Sequence, residues 1–446
     1  MSLKLPLNRQ DLVDLANRIC DLASSMGATA AETSLSVNTG MAVNVRLGEV
    51  ETLEYQRDRG IGVTVYFDQC KGSASSSDFS DEALHKSVSK ACSIARFTAA
   101  DPAAGLPLEA DMATDLMDLQ LYHPWDITPS EAIELAQTCE TAARDADVRI
   151  RNSEGASVNS HRTTRVYGNS HGFADGFSMT SHSVSCAVLA ADDDGAMERD
   201  YWYSSVRDPG EMESAVAVGR EAARRAVARL GAKKIPTCTA PVLFPAILAR
   251  SLVGHFLGAI SGASQYRKTT FLLDAKGTRI FPKFVNIVED PHIPKAFGSV
   301  PMDAEGVTTR RRDLVSDGVL LDYVMSSYSA RRLGLKTTGN AGGIHNMLVA
   351  SGEHDFDGLL QQMNTGLLLT ELIGQGVNST TGDYSRGAAG FWVENGAIAY
   401  PVHEITIAGN LLDMYQRLVG IGTDIDTRTK IRCGSMLLDD LTIAGN

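Results

Sequence analysis

Asp383, Tyr384, Ser385 and Arg386 are the densest run of side chains in this sequence that could do chemistry. They follow Gly382 and lead into the small residues Gly387, Ala388, Ala389 and Gly390. A carboxylate, a phenol, a hydroxyl and a guanidinium on a Gly-rich loop beside a sheet edge would suit an extended peptide, because main-chain pairing needs no particular ligand sequence. The same stretch also reads as a long hairpin connection. Asp303 and Glu305 place two carboxylates two residues apart. A turn, or an ion pair with the nearby arginines 310–312, explains them better than acid–base work. Residues 338–346, TGNAGGIHN, tolerate positive φ, so they read as a loop needing left-handed geometry, with a backbone-lined ligand loop as the alternative. Ser75, Ser76 and Ser77 sit at a strand-to-helix junction, where short hydroxyl side chains cap orphan N–H groups.

Well-known catalytic signatures are missing. The ten histidines form no HExxH pair, and there is no GxGxxG, GxxxxGK[ST] or GxSxG motif. The seven cysteines are scattered, odd in number and without a CxxC pair, which argues against a disulfide framework or a four-cysteine zinc site. They are expected to be mostly buried thiols.

These residues must be held by a chain of mixed texture. Residues 8–26 read as an amphipathic helix with Leu12, Leu15, Ala16, Ile19, Leu22 and Ala23 on one face. Three short strands follow as a meander at 41–45, 50–55 and 61–66, then a helix capped by Ser80. Residues 98–127 carry three prolines and little periodicity, as a connecting segment would. Thr128-Pro129-Ser130-Glu131 is a capping box that opens a helix to about residue 145. Strands return at 148–166 and 181–203, and a helix over 210–230 closes the first half. Past a boundary near 231–239 come a strand at 241–244 and a helix through Leu248, Leu252, Val253, Phe256 and Ile260. Lys276-Gly277, Asp317-Gly318 and Asn395-Gly396 then signal hairpins. The expected fold class is α+β: an N-terminal domain, 1–235, with an antiparallel sheet and helices, and a C-terminal domain, 236–446, made mostly of antiparallel sheet or a partial barrel.

At 446 residues there is enough chain for two or three cores. A net charge of −13 and the lack of a long basic tract disfavour a nucleic-acid surface. No apolar run approaches the length of a membrane span, and residues 1–8 lack the apolar region of a signal peptide. A cytoplasmic protein with no nucleic-acid or membrane partner is expected.

Several short motifs in fixed order carry a resemblance: Gly254-His255, Tyr266-Arg267-Lys268, Asp303 to Gly306, Ser327 to Arg331, Gly339 to Asn346, and the block 382–410. From about Met41 to the end, the chain resembles the PmbA/TldE family, historically called modulators of DNA gyrase. The resemblance implies a cytoplasmic subunit that pairs with a TldD protein in a heteromeric metalloprotease, acting on peptide-antibiotic leaders and on antitoxin-type, poorly folded substrates. It further implies that zinc belongs to TldD, whose HExxxH helix corresponds to residues 250–255 here. Arg250 then stands at the first histidine position, Ser251 at the glutamate, and His255 at the second histidine. A later metal-binding cysteine of TldD falls near Cys433. Hydrolytic zinc needs about three ligands plus a base for its water. This chain keeps two degenerate positions, His255 and Cys433, so neither a metal of its own nor a catalytic residue is expected. His255 is expected to be a satisfied core or interface histidine.

Three functions compete. The first is a non-catalytic subunit that shapes the peptide cavity, with Asp383, Tyr384, Ser385 and Arg386 touching unfolded peptides. This subunit is expected to form a homodimer when its partner is missing. The second is a metallopeptidase in its own right with a divergent site. The third is a protein-binding regulator of DNA gyrase.

Overall fold

The computed structural model describes residues 8–445; the reading of the extreme N-terminus falls on residues 1–7, outside the described residues. The first half comprises α1 (Arg9–Ser25), β1 (Ala30–Arg46), β2 (Glu49–Phe67), β3 (Cys70–Ser76), α2 (Asp81–Phe97), α3 (Pro129–Arg144), β4 (Ile150–Asn169), β5 (Ala174–Ala191), β6 (Met197–Val206) and α4 (Ala215–Ala228). Its strands form one antiparallel sheet in the order β3-β2-β1-β4-β5-β6. The capping box is present, with Glu131 closing back on Thr128.

Alternation along β1 decides how this sheet is used. Ala31, Thr33 and Leu35 face one way, and so do Met41, Val43 and Val45; all six are buried. The first three pack under α1 and α2, and the last three under α3 and α4. Four helices therefore cover one face. Ser34, Ser36 and Asn38, on the opposite face, are left to line a cleft.

The expected meander is corrected here. Residues 50–55 and 61–66 belong to a single 19-residue strand, because Gly60 stays extended and pairs with Ser36 instead of turning. The real turn is Leu47-Gly48, both at positive φ, with their N–H groups held by the buried Glu140 carboxylate. Likewise the strand expected at 181–203 is two strands, β5 and β6, joined by a turn at residues 192–196. The helix expected over 210–230 begins at Ala215, where Ser214 caps it.

The second half comprises β7 (Cys238–Phe244), α5 (Ala246–Ala259), α6 (Gly262–Arg267), β8 (Ile287–Asp290), β9 (Arg312–Ser316), β10 (Val319–Leu320), α7 (Ser327–Leu333), β11 (Asn346–Val349), α8 (Phe356–Met363), β12 (Gly366–Ile373), β13 (Asp383–Glu394), β14 (Ala397–Asn410), α9 (Leu411–Gln416), β15 (Leu418–Ile421), β16 (Ile431–Arg432) and β17 (Met436–Ala444). The order β14-β13-β12-β7-β17 closes on itself through pairing of β14 with β17, which makes a five-stranded barrel. The fold is α+β. Asn395-Gly396 and Asp317-Gly318 turn their hairpins with both φ angles positive, as type I′ turns require. Lys276-Gly277 does not make a hairpin: Gly277 donates to the Leu320 carbonyl within an irregular segment.

Residues 98–128 hold only a short 3₁₀ turn and run along the second half of the chain. Arg331 fixes part of this segment by donating to the carbonyls of Ala103, Leu106 and Gly105 at 2.7, 2.9 and 2.7 Å. Lys295 pairs with both Asp208 and Glu211 at 2.7 Å, and Arg207 donates to the Ala296 and Phe297 carbonyls. Among the described residues no helix is long and apolar enough to cross a membrane. All seven cysteines are free; five are buried and Cys70 and Cys238 are half-buried.

Candidate functional site

A cleft of ≈ 1040 Å³ lies between the open face of the N-terminal sheet and loops of the second half. Small residues make its floor: Ser34 and Ser36 of β1, Gly60 and Gly62 of β2, and the run Ser75 to Ser77. Gly342, Gly343 and His345 form the opposite wall with Asp303 and Phe297, and Arg165 and Lys430 bring positive charge. Neither cation makes an ion pair among the described residues. A trough floored by small side chains, with mixed polar and apolar walls and two cations outside any ion pair, has room for an extended chain and favours its negative groups.

The Gly-rich wall is rigidly anchored. Gly339, Gly342 and Gly343 all sit at positive φ, as the sequence suggested. Buried Glu289 holds the loop: it accepts from Asn340 Nδ2 at 2.7 Å, from the His345 N–H at 2.9 Å and from Arg312 Nε at 2.8 Å. His345 also bonds the Gly339 carbonyl, and burial lowers its pKa. Asp303 turns the neighbouring loop by accepting the N–H groups of Glu305, Val307 and Ala341. Its burial raises its pKa to about 7. Glu305 accepts from the Ser327 N–H, so the two carboxylates are loop anchors rather than an acid–base pair.

The four residues of the expected peptide loop are elsewhere. Asp383 to Arg386 begin β13 and pair with Asn410 through Ile407 of β14, so they are a barrel strand and not a flexible connection. Alternation puts Asp383 and Ser385 outside and Tyr384 inside at 1% exposure. Arg386, half-buried, shares the Tyr384 side of the strand and donates to the Leu372 carbonyl at 3.2 Å. Replacing Tyr384 by alanine would thus hollow out the core, so it cannot probe substrate contact.

The α5 helix carries the degenerate metal positions. Pro245 leads into it and Ser435 Oγ accepts its first N–H, at Ala246. Arg250 Nη1 donates to the Tyr203 hydroxyl at 3.1 Å and faces Asp426 at 3.7 Å. Asp426, 4% exposed, is also gripped by Arg428, whose guanidinium stacks 4.2 Å from Trp202 and 4.6 Å from Tyr203. Ser251 spends its hydroxyl on the Leu248 carbonyl. The Cys433 sulfur lies 4.0 Å from the Ala246 carbonyl at the start of the helix, and burial pushes its thiol up to about 12. His255 is nine residues further along, roughly 13 Å by helical rise. These donors do not fit a hydrolytic zinc: a guanidinium cannot ligate, and the Ser251 hydroxyl, committed to a carbonyl, is no general base. Among the described residues no three His, Cys, Asp or Glu side chains converge as a metal set.

His255 departs from its expectation as a satisfied histidine. Its Nε2 is buried with no hydrogen-bond partner, and its ring meets Tyr384 edge-on at 6.2 Å between centroids. The Tyr384 hydroxyl and Arg386 Nε are likewise buried and unpartnered. Burial lowers the His255 pKa, and the Arg386 charge lowers it further.

The sequence reading missed the cleft as a whole, although three of its weighed segments line it. The serines 75–77, Asp303 and the loop 338–346 each had a sufficient local explanation, and only tertiary contact joins them. Alternating Ser34, Ser36 and Asn38 was the overlooked signal of a polar, unshielded sheet face.

Comparison with known proteins follows this geometry closely. Three family models match: PmbA/TldA metallopeptidase domain 1 over residues 31–95, the central domain over 122–230 and the C-terminal domain over 237–445. The chain is 50% identical over 437 residues to the metalloprotease PmbA of Escherichia coli O157:H7, covering 98% of this chain and 97% of that one. It is 45% identical to the Haemophilus influenzae PmbA homologue, covering 99% and 98%, and 22% identical to the TldD homologue of the same organism, covering 89% of each. A Bacteroides thetaiotaomicron crystal structure described as a modulator of DNA gyrase superposes with a TM-score of 0.93 at 26% identity, over 98% of this chain and 100% of that one. TldE from Thermococcus kodakarensis superposes at 0.83 with 18% identity, covering 97% and 100%, which shows the fold alone. The chain belongs to the PmbA/TldE family.

Proposed function

We propose that this chain, with domains 1–235 and 236–446, is the non-catalytic subunit of a cytoplasmic heteromeric metalloprotease. It shapes and closes the cavity in which a zinc-bearing TldD-like partner cleaves unfolded peptides, of the peptide-antibiotic-leader and antitoxin kinds. The observation that carries this reading is Arg250, at the first histidine position of the metallopeptidase helix and engaged by Tyr203 and Asp426. An arginine committed to structure cannot activate water at a metal there, and among the described residues no metal-ligand cluster replaces it. The likeness to TldD homologues along most of the chain suits two subunits of similar shape facing one another. The cleft under Ser34 and Ser36 supplies the wall of such a cavity, which would admit chains by their lack of folded bulk.

The test is reconstitution. The purified chain should be inactive on casein or short peptides, should lack stoichiometric zinc, and should confer activity when mixed with its TldD-like partner. Peptidase activity with bound zinc in this chain alone would favour an independent enzyme. Co-purification with DNA gyrase, without any TldD-like protein, would favour a gyrase regulator. In isolation the partner-facing surface should pair with itself, so size measurement in solution should give a homodimer.

A further inference from the structure

We propose that His255, Tyr384 and Arg386 together form a binding site for a carboxylate, that of a peptide's C-terminus. The peptide origin of that carboxylate rests on the function proposed above; the site itself rests on geometry. Residues two apart on a strand share a face, so β13 presents the Tyr384 hydroxyl and the Arg386 guanidinium side by side. Helix α5 adds the His255 ring, edge-on to Tyr384. His255 Nε2, Tyr384 Oη and Arg386 Nε are all buried, and none has a hydrogen-bond partner. Tyr384 is 1% exposed, so water outside the protein cannot satisfy it.

The charge of this cluster selects its ligand. Arg386 makes no ion pair among the described residues; its one well-aligned hydrogen bond is to the Leu372 carbonyl, and its guanidinium also touches the Tyr384 hydroxyl in a poorly aligned contact. Its positive charge acts on both His255 and Tyr384, and no carboxylate among the described residues offsets it there. A metal cation would be repelled. A water molecule could meet the hydrogen bonds but would leave the guanidinium uncompensated. Arginine Nε, a phenolic O–H and an imidazole N–H are three donors, and a singly charged planar carboxylate matches them. The neighbouring Tyr415 does not compete, because its hydroxyl donates to the Leu252 carbonyl. The outer face of α5 beside His255 carries two glycines: a Cβ at Gly258 would meet nothing within 4 Å, and one at Gly254 only Ile431 Cδ1 at 3.9 Å.

The experiment titrates the full chain, without its partner, with tetra-alanine as free acid and as C-terminal amide. Binding is read by calorimetry and by the ring resonances of His255. The free acid should bind at least about tenfold tighter than the amide, the scale of one charge-assisted hydrogen bond. It should also shift the His255 signals. Tyr384→Phe removes a single oxygen and keeps the packing; it should weaken the free acid about fivefold and leave the amide unchanged. Arg386→Gln should abolish the preference. Equal binding of acid and amide, no binding of either at millimolar concentration, or a Tyr384→Phe variant indistinguishable from the parent would overturn the proposal. So would an amidated peptide with one internal aspartate that binds as tightly as the free acid. Since no cleavage is measured, failure here leaves the subunit reading standing, and failure of reconstitution leaves this site standing.

Discussion

The Tyr203 hydroxyl, on the edge strand of the N-terminal sheet, accepts a hydrogen bond at 3.1 Å from Arg250 on the helix that follows β7. One side chain thereby ties the two halves of the molecule. Arginine suits this task because its fork can serve a hydroxyl and a carboxylate together.

Arg250→Ala should cost about 1–2 kcal/mol, since it removes one hydrogen bond and one partner of the buried Asp426 while Arg428 remains. The check is urea unfolding, with the midpoint lowered and the slope unchanged. An unshifted midpoint would show that the contact contributes nothing to stability.

Cys433 should resist alkylation. It is fully buried and its thiol is pushed up to about 12, so at pH 8 almost none is thiolate. Mass spectrometry after iodoacetamide treatment of the native protein should find it unmodified, and modified once urea is added. Rapid native labelling would contradict that burial.

Glu289→Gln should be among the most harmful isosteric changes, at about 3 kcal/mol. The carboxylate is 1% exposed, and the neutral amide would leave Arg312 with only the more exposed Asp322 as counter-ion and turn a donor toward groups that already donate. Loss of this anchor should free the loop 338–346, which limited proteolysis would detect as new cleavage there. A variant of parental stability and protease resistance would sink this account of the cleft wall.

Ser36→Trp fills the cleft from the uncovered side of β1 without entering a core. Its melting temperature should stay within a few degrees of the parent, as for most changes outside packed regions. Peptide cleavage by the reconstituted pair should fall about tenfold if the chain threads this trough, the magnitude expected when binding loses roughly 1.4 kcal/mol. Full activity would remove the trough from the substrate path.

Local chemistry made much of the architecture legible. The Thr128 capping box, the Asn395-Gly396 and Asp317-Gly318 turns and the apolar faces of α1 and α5 depend on residues within a few positions of one another. Gly60 misled for the same reason: glycine tolerates a turn but does not compel one, and pairing with Ser36 across the sheet kept it extended.

The candidate sites divide along the same line. The sequence by itself determined that position 250 holds a guanidinium, which has no lone pair to offer a metal, and 251 a hydroxyl. Only the tertiary structure decided what Tyr384 and Arg386 face, because a barrel strand turns alternate residues inward whatever their polarity. It also decided that Ser36, Gly343 and Lys430 share one cleft, since residues hundreds of positions apart meet only where sheet and loops pack together.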